Sequence, residues 1–309
     1  MLHTRALGGG TVDFRSFPRR LLVGLAAFIL ISCSRPAPPI GGIALVDDGG
    51  DTVRLAAPAA RIVSLVPATT ELLFALGAGP QVVGRTTWCD YPAAALQVPS
   101  VGAGINPSVE AVVAAHPDLI VVYRSAANQA AVGRFRALGI ATMVLATDRL
   151  VDFDRATALL GRATGRTAQA DSLTRALAAA LERVSVHPAA PPSVFILAWE
   201  QPVMTLGRGS FLSEILGRAG ARNLFEDLPQ SSATVSLEAV VARQPDFILA
   251  TSDRDPPIAG KPEWQSLDAV RHRRFLRVAG SEFNRPSPRM PEAVRQLREA
   301  LARAGTAPQ

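Results

Sequence analysis

Only two of the 309 residues are cysteine, four are histidine and 6% are aromatic. No GxSxG, HExxH, Walker A or CxxC pattern occurs anywhere in the chain. The usual signatures of serine hydrolases, zinc peptidases, P-loop NTPases and dithiol redox proteins are therefore missing. No basic block with interleaved aromatics is present, which disfavours nucleic acid as a partner. The longest apolar run, Leu21 to Ile31, has eleven residues, too few to cross a bilayer as a helix.

That run has another reading. Arg15, Arg19 and Arg20 precede it, and a basic region before a short apolar one is the form of a secretory signal. It ends in "LISC", Leu30 to Cys33, which is similar to the lipobox of bacterial lipoproteins. The similarity implies cleavage before Cys33, a lipid on its thiol, and an exported protein anchored to the membrane, in the periplasm or on the outer cell surface. Residues 1–32 are then a signal peptide. Residues 33–42, with Pro36, Pro38, Pro39, Gly41 and Gly42, are a tether. The leader holds four Arg and one Asp, so the remainder carries 28 basic and 25 acidic residues, net +3. That balance gives no reason to expect a polyanionic partner.

In the exported chain Cys89 has no internal disulfide partner and is either a small half-buried residue or one that touches ligand. His116 and His187 each precede a Pro at a helix end, and His272 lies among Arg residues. Capping or surface roles suit all three better than catalysis, and no metal site is expected.

What the sequence has in quantity is alternation. "IALVDDGGDTVRL" (43–55) is a hairpin around Asp-Gly-Gly-Asp. "RIVSLV", "QVVG", "DLIVV" and "ATMVLA" are short, continuously apolar strands separated by helical stretches, as in a parallel sheet covered on both faces. Thr69 or Thr70 is placed to cap the helix "ELLFALG". Between Val151 and Val184 only helix is expected, with Ala170, Leu173, Leu177, Leu181 and Val184 forming one apolar stripe. A helix over 167–185 would be roughly 28 Å long. After "HPAAPPS" the alternation resumes with "VFILA", "DFILA" and "RFLRVAG". The expected architecture is α/β: one lobe over 43–150, a helical spine over 151–190, a second lobe over 191–309, and a ligand cleft between the lobes.

The lobes echo each other. "SVEAVVAAHPDLIVV" (108–122) returns 128 positions later as "SLEAVVARQPDFILA" (236–250), identical at nine of fifteen positions. Glu110 and Glu238 occupy the first turn of matching helices behind a capping Ser, where a carboxylate suits the positive end of the helix dipole. Capping explains each singly, and duplication explains the pair.

In a parallel α/β sheet, ligands meet the carboxyl ends of the strands. Those ends carry Tyr123 and Arg124, then Trp199 and Glu200, then Thr251, Ser252 and Asp253, while Trp88 follows "QVVG". Scarce aromatics on loops at a cleft suit a broad, flat, apolar ligand with a few polar handles. The competing reading closes Trp88 and Trp199 over the core.

"RIVSLVPATTELLFALGAG", "TTWCDYP", "VPSVGAGINPSVEAVVAAHPDLIVV", "TLGRGSFLSEILGRAGARNLF" and "SLEAVVARQPDFILA" together resemble the substrate-binding proteins of cobalamin-type ABC importers, from about Ile43 to the C-terminus. The resemblance implies two Rossmann-like lobes joined by a single long α-helix, little hinge motion, and a corrinoid held between the lobes by a protein that is not an enzyme and needs no cofactor. It implies that Glu110 and Glu238 dock onto Arg residues of a permease dimer served by ATPase subunits, with the binding protein itself a monomer. In the pocket it implies roles for Trp88, Cys89, Tyr123, Glu282 and Phe283. One departure is "VGAGIN", where Gly104 stands near the place of a family Trp. Haem and ferric-siderophore binders share the frame. Haem would call for an axial ligand such as Tyr123, and an acidic siderophore for converging Arg124, Arg254 and Arg285. An envelope enzyme or sensor on the same frame is the remaining alternative.

Overall fold

The computed structural model describes residues 42–305. The proposed signal peptide, Cys33 and most of the tether lie outside them. The chain opens with the expected hairpin, β1 (Ile43–Val46) paired antiparallel with β2 (Thr52–Leu55). Then come β3 (Ile62–Ser64), α1 (Pro67–Ala75), β4 (Val82–Arg85), α2 (Val109–Val113), β5 (Leu119–Tyr123), α3 (Gln129–Ala137) and β6 (Ala141–Leu145). These strands form a parallel sheet in the order β4-β3-β5-β6, and β3 and β5 are almost wholly buried, as their unbroken apolar runs require.

Two helices follow, α4 (Leu150–Ala163) and α5 (Thr167–Val184). The stripe on α5 does its expected work: Ala170, Leu177 and Leu181 are buried, and the helix packs on α4 on one side and the C-terminal helix on the other. The rest of the chain runs β7 (Ser193–Ile196), β8 (Trp199–Glu200), β9 (Val203–Leu206), α6 (Phe211–Arg218), β10 (Arg222–Asn223), β11 (Ser232–Thr234), α7 (Leu237–Arg243), β12 (Phe247–Ala250), α8 (Asp268–Arg271), β13 (Phe275–Arg277) and α9 (Met290–Gly305). Its main sheet, β10-β7-β12-β13, is parallel. Taken in chain order, both four-stranded sheets have the same spatial order, second, first, third, fourth. The architecture is thus two α/β lobes bridged by helix. One cluster of buried side chains runs through both lobes by way of α5, and each lobe adds a smaller cluster on the far face of its sheet.

The repeated segments superpose in role as well as in sequence. Ser108 and Ser236 each accept the backbone N–H three residues on, at 3.2 Å. A residue with positive φ stands directly before the Pro in both copies, Gln244 as the C-cap of α7 and His116 two residues past the C-cap of α2. Asp118 and Asp246 then hold the start of the neighbouring strand. Asp118 accepts from Ala60 N at 2.8 Å and Arg61 N at 3.0 Å, and Asp246 from Ser193 N and Oγ, both at 2.7 Å.

Two expectations need correction. Neither Thr69 nor Thr70 caps α1. The helix begins earlier, because Pro67 has the backbone geometry of a first helical residue, and both hydroxyls turn back onto the Val66 carbonyl and Ser64. The antiparallel sheet β11-β9-β8 has no counterpart in the alternation of the sequence. Its strands have two to four residues; β8 and β9 form a hairpin around Gln201-Pro202, and β11 joins β9 only through tertiary contact.

Candidate functional site

In each sheet the first and third strands are neighbours, and their following connections leave in opposite directions. This is the point at which a crevice opens at the carboxyl ends of the strands. Three cavities of about 380, 330 and 520 Å³ line up there. The first belongs to the N-terminal lobe and is walled by Leu65, Val66, Trp88, Ile105 and Tyr123. The second lies between the lobes, with Ile196, Phe211, Ser232 and Phe283. The third belongs to the C-terminal lobe, with Trp199, Glu200, Ser252, Asp255 and Lys261. They run together: Thr147, Asp148 and Asn284 are common to the first two, and Leu197, Ala198 and Thr251 to the last two. A larger cavity of about 730 Å³ sits at β2 and the strand starts near residues 117–118 and 139–142. That is the wrong end of the sheet for a ligand of this fold, and the aromatic residues are elsewhere.

Trp88 and Trp199 are 72% and 64% exposed, one on each lobe, so neither ring closes over the core. The Trp199 ring is steadied by its Nε1, which donates to the Gln201 carbonyl at 3.0 Å. Glu200 is paired with Lys261 at 3.0 Å. Tyr123 is half-buried, and its hydroxyl donates to Asp148 Oδ1 at 2.6 Å. Burial, and after it the hydrogen bond and charge of Asp148, push the phenol well above its ordinary value. Phe283 is buried beneath the middle cavity.

Four other sequence candidates do not reach the cleft. Cys89 is 0% exposed, and its sulfur sits 3.1 Å from the hydroxyls of Thr70 and Thr86 behind the Trp88 loop. Arg124 and Asp253 are exposed but wall none of the three cavities. Glu282 turns inward to Arg289 at 2.5 Å. The three Arg that an acidic ligand would need do not converge. Arg124 and Arg254 stay outside the cleft, and Arg285, which does line it, is held by Glu71 at 2.8 Å and Asp90 at 2.7 Å.

Gly104 has a structural reason. A Cβ there would fall inside contact distance of the Leu65 carbonyl oxygen, so the loop can lie across the end of β3 only as glycine. Asn128, buried and unnoticed in the sequence, fixes this loop. Its amide donates to the carbonyls of Tyr123 at 3.0 Å and Gly104 at 3.2 Å, and its oxygen accepts Asn106 N at 2.9 Å. Replacing Asn128 by Ala takes the partner from these partly buried backbone groups and is expected to cost about 1 kcal/mol, read from chemical denaturation.

Beneath the cleft a buried ion network joins the lobes. Glu71 on α1, 2% exposed, receives Arg285 Nε at 2.8 Å and Arg289 Nε and Nη2 at 2.9 and 2.8 Å. The Arg289 guanidinium also lies 4.2 Å over the Tyr91 ring. A second tie has Glu214 of α6 accepting from Arg149 at 2.7 Å and from the Leu150 N–H at the start of α4 at 2.7 Å. Glu110 and Glu238 are exposed on the first turns of α2 and α7. Each is held below its ordinary carboxyl value, first by a backbone N–H and then by its Ser. No group of side chains suited to hold a metal ion occurs among the described residues, and no helix there is long and apolar enough to cross a membrane.

Residues 62–279 match the family model described as "Periplasmic binding protein". The chain is 28% identical over 297 residues to YvrC of Bacillus subtilis, an uncharacterized ABC transporter substrate-binding lipoprotein, covering 90% of this chain and 94% of that one. It is 30% identical over 247 residues to a vitamin B12-binding protein of Salmonella paratyphi A, covering 79% and 91%. In fold it is similar to the periplasmic heme-binding protein RhuT of Roseiflexus, with a TM-score of 0.69 and 24% identity over 80% of this chain and 99% of that one.

Proposed function

Because the chain belongs to the periplasmic binding protein family, and is therefore an extracytoplasmic solute-binding protein and not an enzyme, we propose that the solute it carries is a corrinoid. As a substrate-binding protein of an ABC importer it works with a permease and its ATPase. The observation that carries the corrinoid reading is the pair of exposed rings, Trp88 and Trp199, facing one continuous cleft from opposite lobes. Two such faces can sandwich a wide macrocycle, while neutral groups between them, such as Thr147, Ser232, Thr251 and Asn284, suit the amides of its rim.

The charge arrangement argues against the alternatives. An iron–phenolate bond to haem needs Tyr123 to lose its proton, and Asp148 at 2.6 Å opposes that loss. An acidic siderophore needs free cations, and Arg285 is already committed to Glu71 and Asp90. We further propose that Cys33 carries a lipid anchor, that the protein acts as a monomer, and that Glu110 and Glu238 engage the permease.

Titration of the purified protein with cyanocobalamin, haemin and a ferric siderophore, followed by quenching of tryptophan fluorescence, tests the ligand. Trp264 is buried in the C-terminal lobe and supplies a constant background. Cyanocobalamin is expected to bind below micromolar, and Trp88→Ala or Trp199→Ala to weaken it about 10-fold each. Absence of sub-micromolar cobalamin binding rejects the corrinoid reading.

A further inference from the structure

The cleft contains five charged side chains, and four of them are already answered. Arg285 is held by Glu71 and Asp90, Lys261 and Glu200 pair with each other, and Asp255 takes both Arg273 and Arg277. The fifth is Asp148, which pairs with no Arg, Lys or His among the described residues. Its Oδ1 accepts the Tyr123 hydroxyl, and its backbone N–H is tied to Asp152 Oδ2 at 3.1 Å, so the carboxylate is fixed at the N-terminal lead into α4. It stands in the wall shared by the first and second cavities, the middle of the cleft.

Asp148 is partly exposed, so water can reach its free oxygen while the cleft is empty. A ligand large enough to fill both cavities expels that water, and an unpaired carboxylate is then costly unless the ligand brings a donor. Tyr123 cannot bring a second proton, because its one hydroxyl hydrogen is already spent on Oδ1. We propose that Asp148, oriented by Tyr123, is a specificity-determining residue: it admits ligands that present an N–H donor at this point, a primary amide or an ammonium, and rejects ligands that present a carboxylate there. The inference rests on the solute-binding reading and deepens it, since it states what chemistry the ligand must carry at the centre of the cleft.

The test compares two corrinoids, cyanocobalamin and a derivative whose rim acetamides have been hydrolysed to carboxylates, on the wild-type protein, Asp148→Asn and Tyr123→Phe. The wild type is expected to prefer the amide form by about 100-fold, the worth of a hydrogen bond to a charged group together with the like-charge penalty. Asp148→Asn keeps the shape and accepts or donates equally well, so the preference should fall below about 10-fold, mainly by gained affinity for the carboxylate form. Tyr123→Phe, which frees the carboxylate to turn, should narrow the preference to an intermediate value. A general loss of folding would weaken both ligands together, whereas an unchanged ratio in an Asp148→Asn protein that still binds the amide form with wild-type affinity overturns the proposal. If the wild type binds neither corrinoid, the reading in the preceding section fails on its own. The same variants are then compared on a ferric hydroxamate bearing a free ammonium and on ferric citrate. Selectivity for the ammonium ligand that Asp148→Asn abolishes supports the assignment, and selectivity that survives, or none at all, rejects it.

Discussion

Glu71→Ala should lower the stability of the protein by about 3–5 kcal/mol, the range for removing one partner of a buried ion pair. The substitution takes away the one carboxylate among the described residues that both Arg285 and Arg289 share, leaving Arg285 with Asp90 and Arg289 with Glu282. Much of the cost comes from guanidinium groups that remain buried with their charge half answered. Chemical denaturation of the whole exported chain measures it. Glu71→Gln, which preserves the volume and one acceptor, should be milder but still clearly destabilising, because the lost charge was fully desolvated. The effect should also reach the ligand. Asp90 and Tyr91 belong to the same loop as Trp88, so loosening their arginines frees the ring that faces the cleft. A loss of less than 1 kcal/mol would mean that the network is not what holds this part of the molecule together.

The second large effect concerns uptake. Alanine at Glu110 or Glu238 should weaken association with the permease about 10-fold each, and alanine at both by more than about 100-fold, with ligand affinity unchanged. On the proposed docking, one anchor would leave a two-lobed body free to pivot on a twofold partner, and the second would fix its orientation. The mounts are well made for this: each carboxylate stands on the first turn of a short helix with the same Ser cap, followed in both lobes by a Pro-Asp whose carboxylate holds the start of the neighbouring strand. Both groups are held below their ordinary carboxyl values, so they stay charged as pH falls through the range where an ordinary Glu begins to take up protons. Docking should therefore be fully present at neutral pH and above, and be lost, as pH falls, at a lower pH than an ordinary Glu would give. Uptake and permease binding unaffected by the double substitution would leave the pair as helix caps and nothing more.

Much of this frame is legible in the residues themselves. Continuous apolar strands, the doubled "EAVVA" helices and the stripe on α5 are local patterns, and each became the element its period demanded. The strand-end rule also led to Trp88, Tyr123 and Trp199. The same rule applied to "ATMVLATD" points to Thr147 and Asp148. Other features have no local signal. Glu71 meets Arg289 across 218 positions, and nothing near either residue marks the pairing. Cys89 sits in the right loop but points the other way, since its sulfur packs against Thr70 and Thr86 while the neighbouring Trp takes the open side. Glu282 fails for the same reason, drawn inward by an arginine seven residues on.

The buried cluster that passes through both lobes by way of α5 bears on how the molecule can come apart. The two halves repeat a motif and a sheet order, as if each had once been a sufficient unit. Here, however, the inner face of each sheet is finished by the same set of helices, and Leu177 and Leu181 belong to neither half alone. On heating, the halves should therefore melt as one cooperative body rather than in succession. An interior shared in this way should resist hinge bending, so the cleft is expected to keep a nearly constant width and to take its cargo by fit to a standing shape, which X-ray scattering with and without ligand would check.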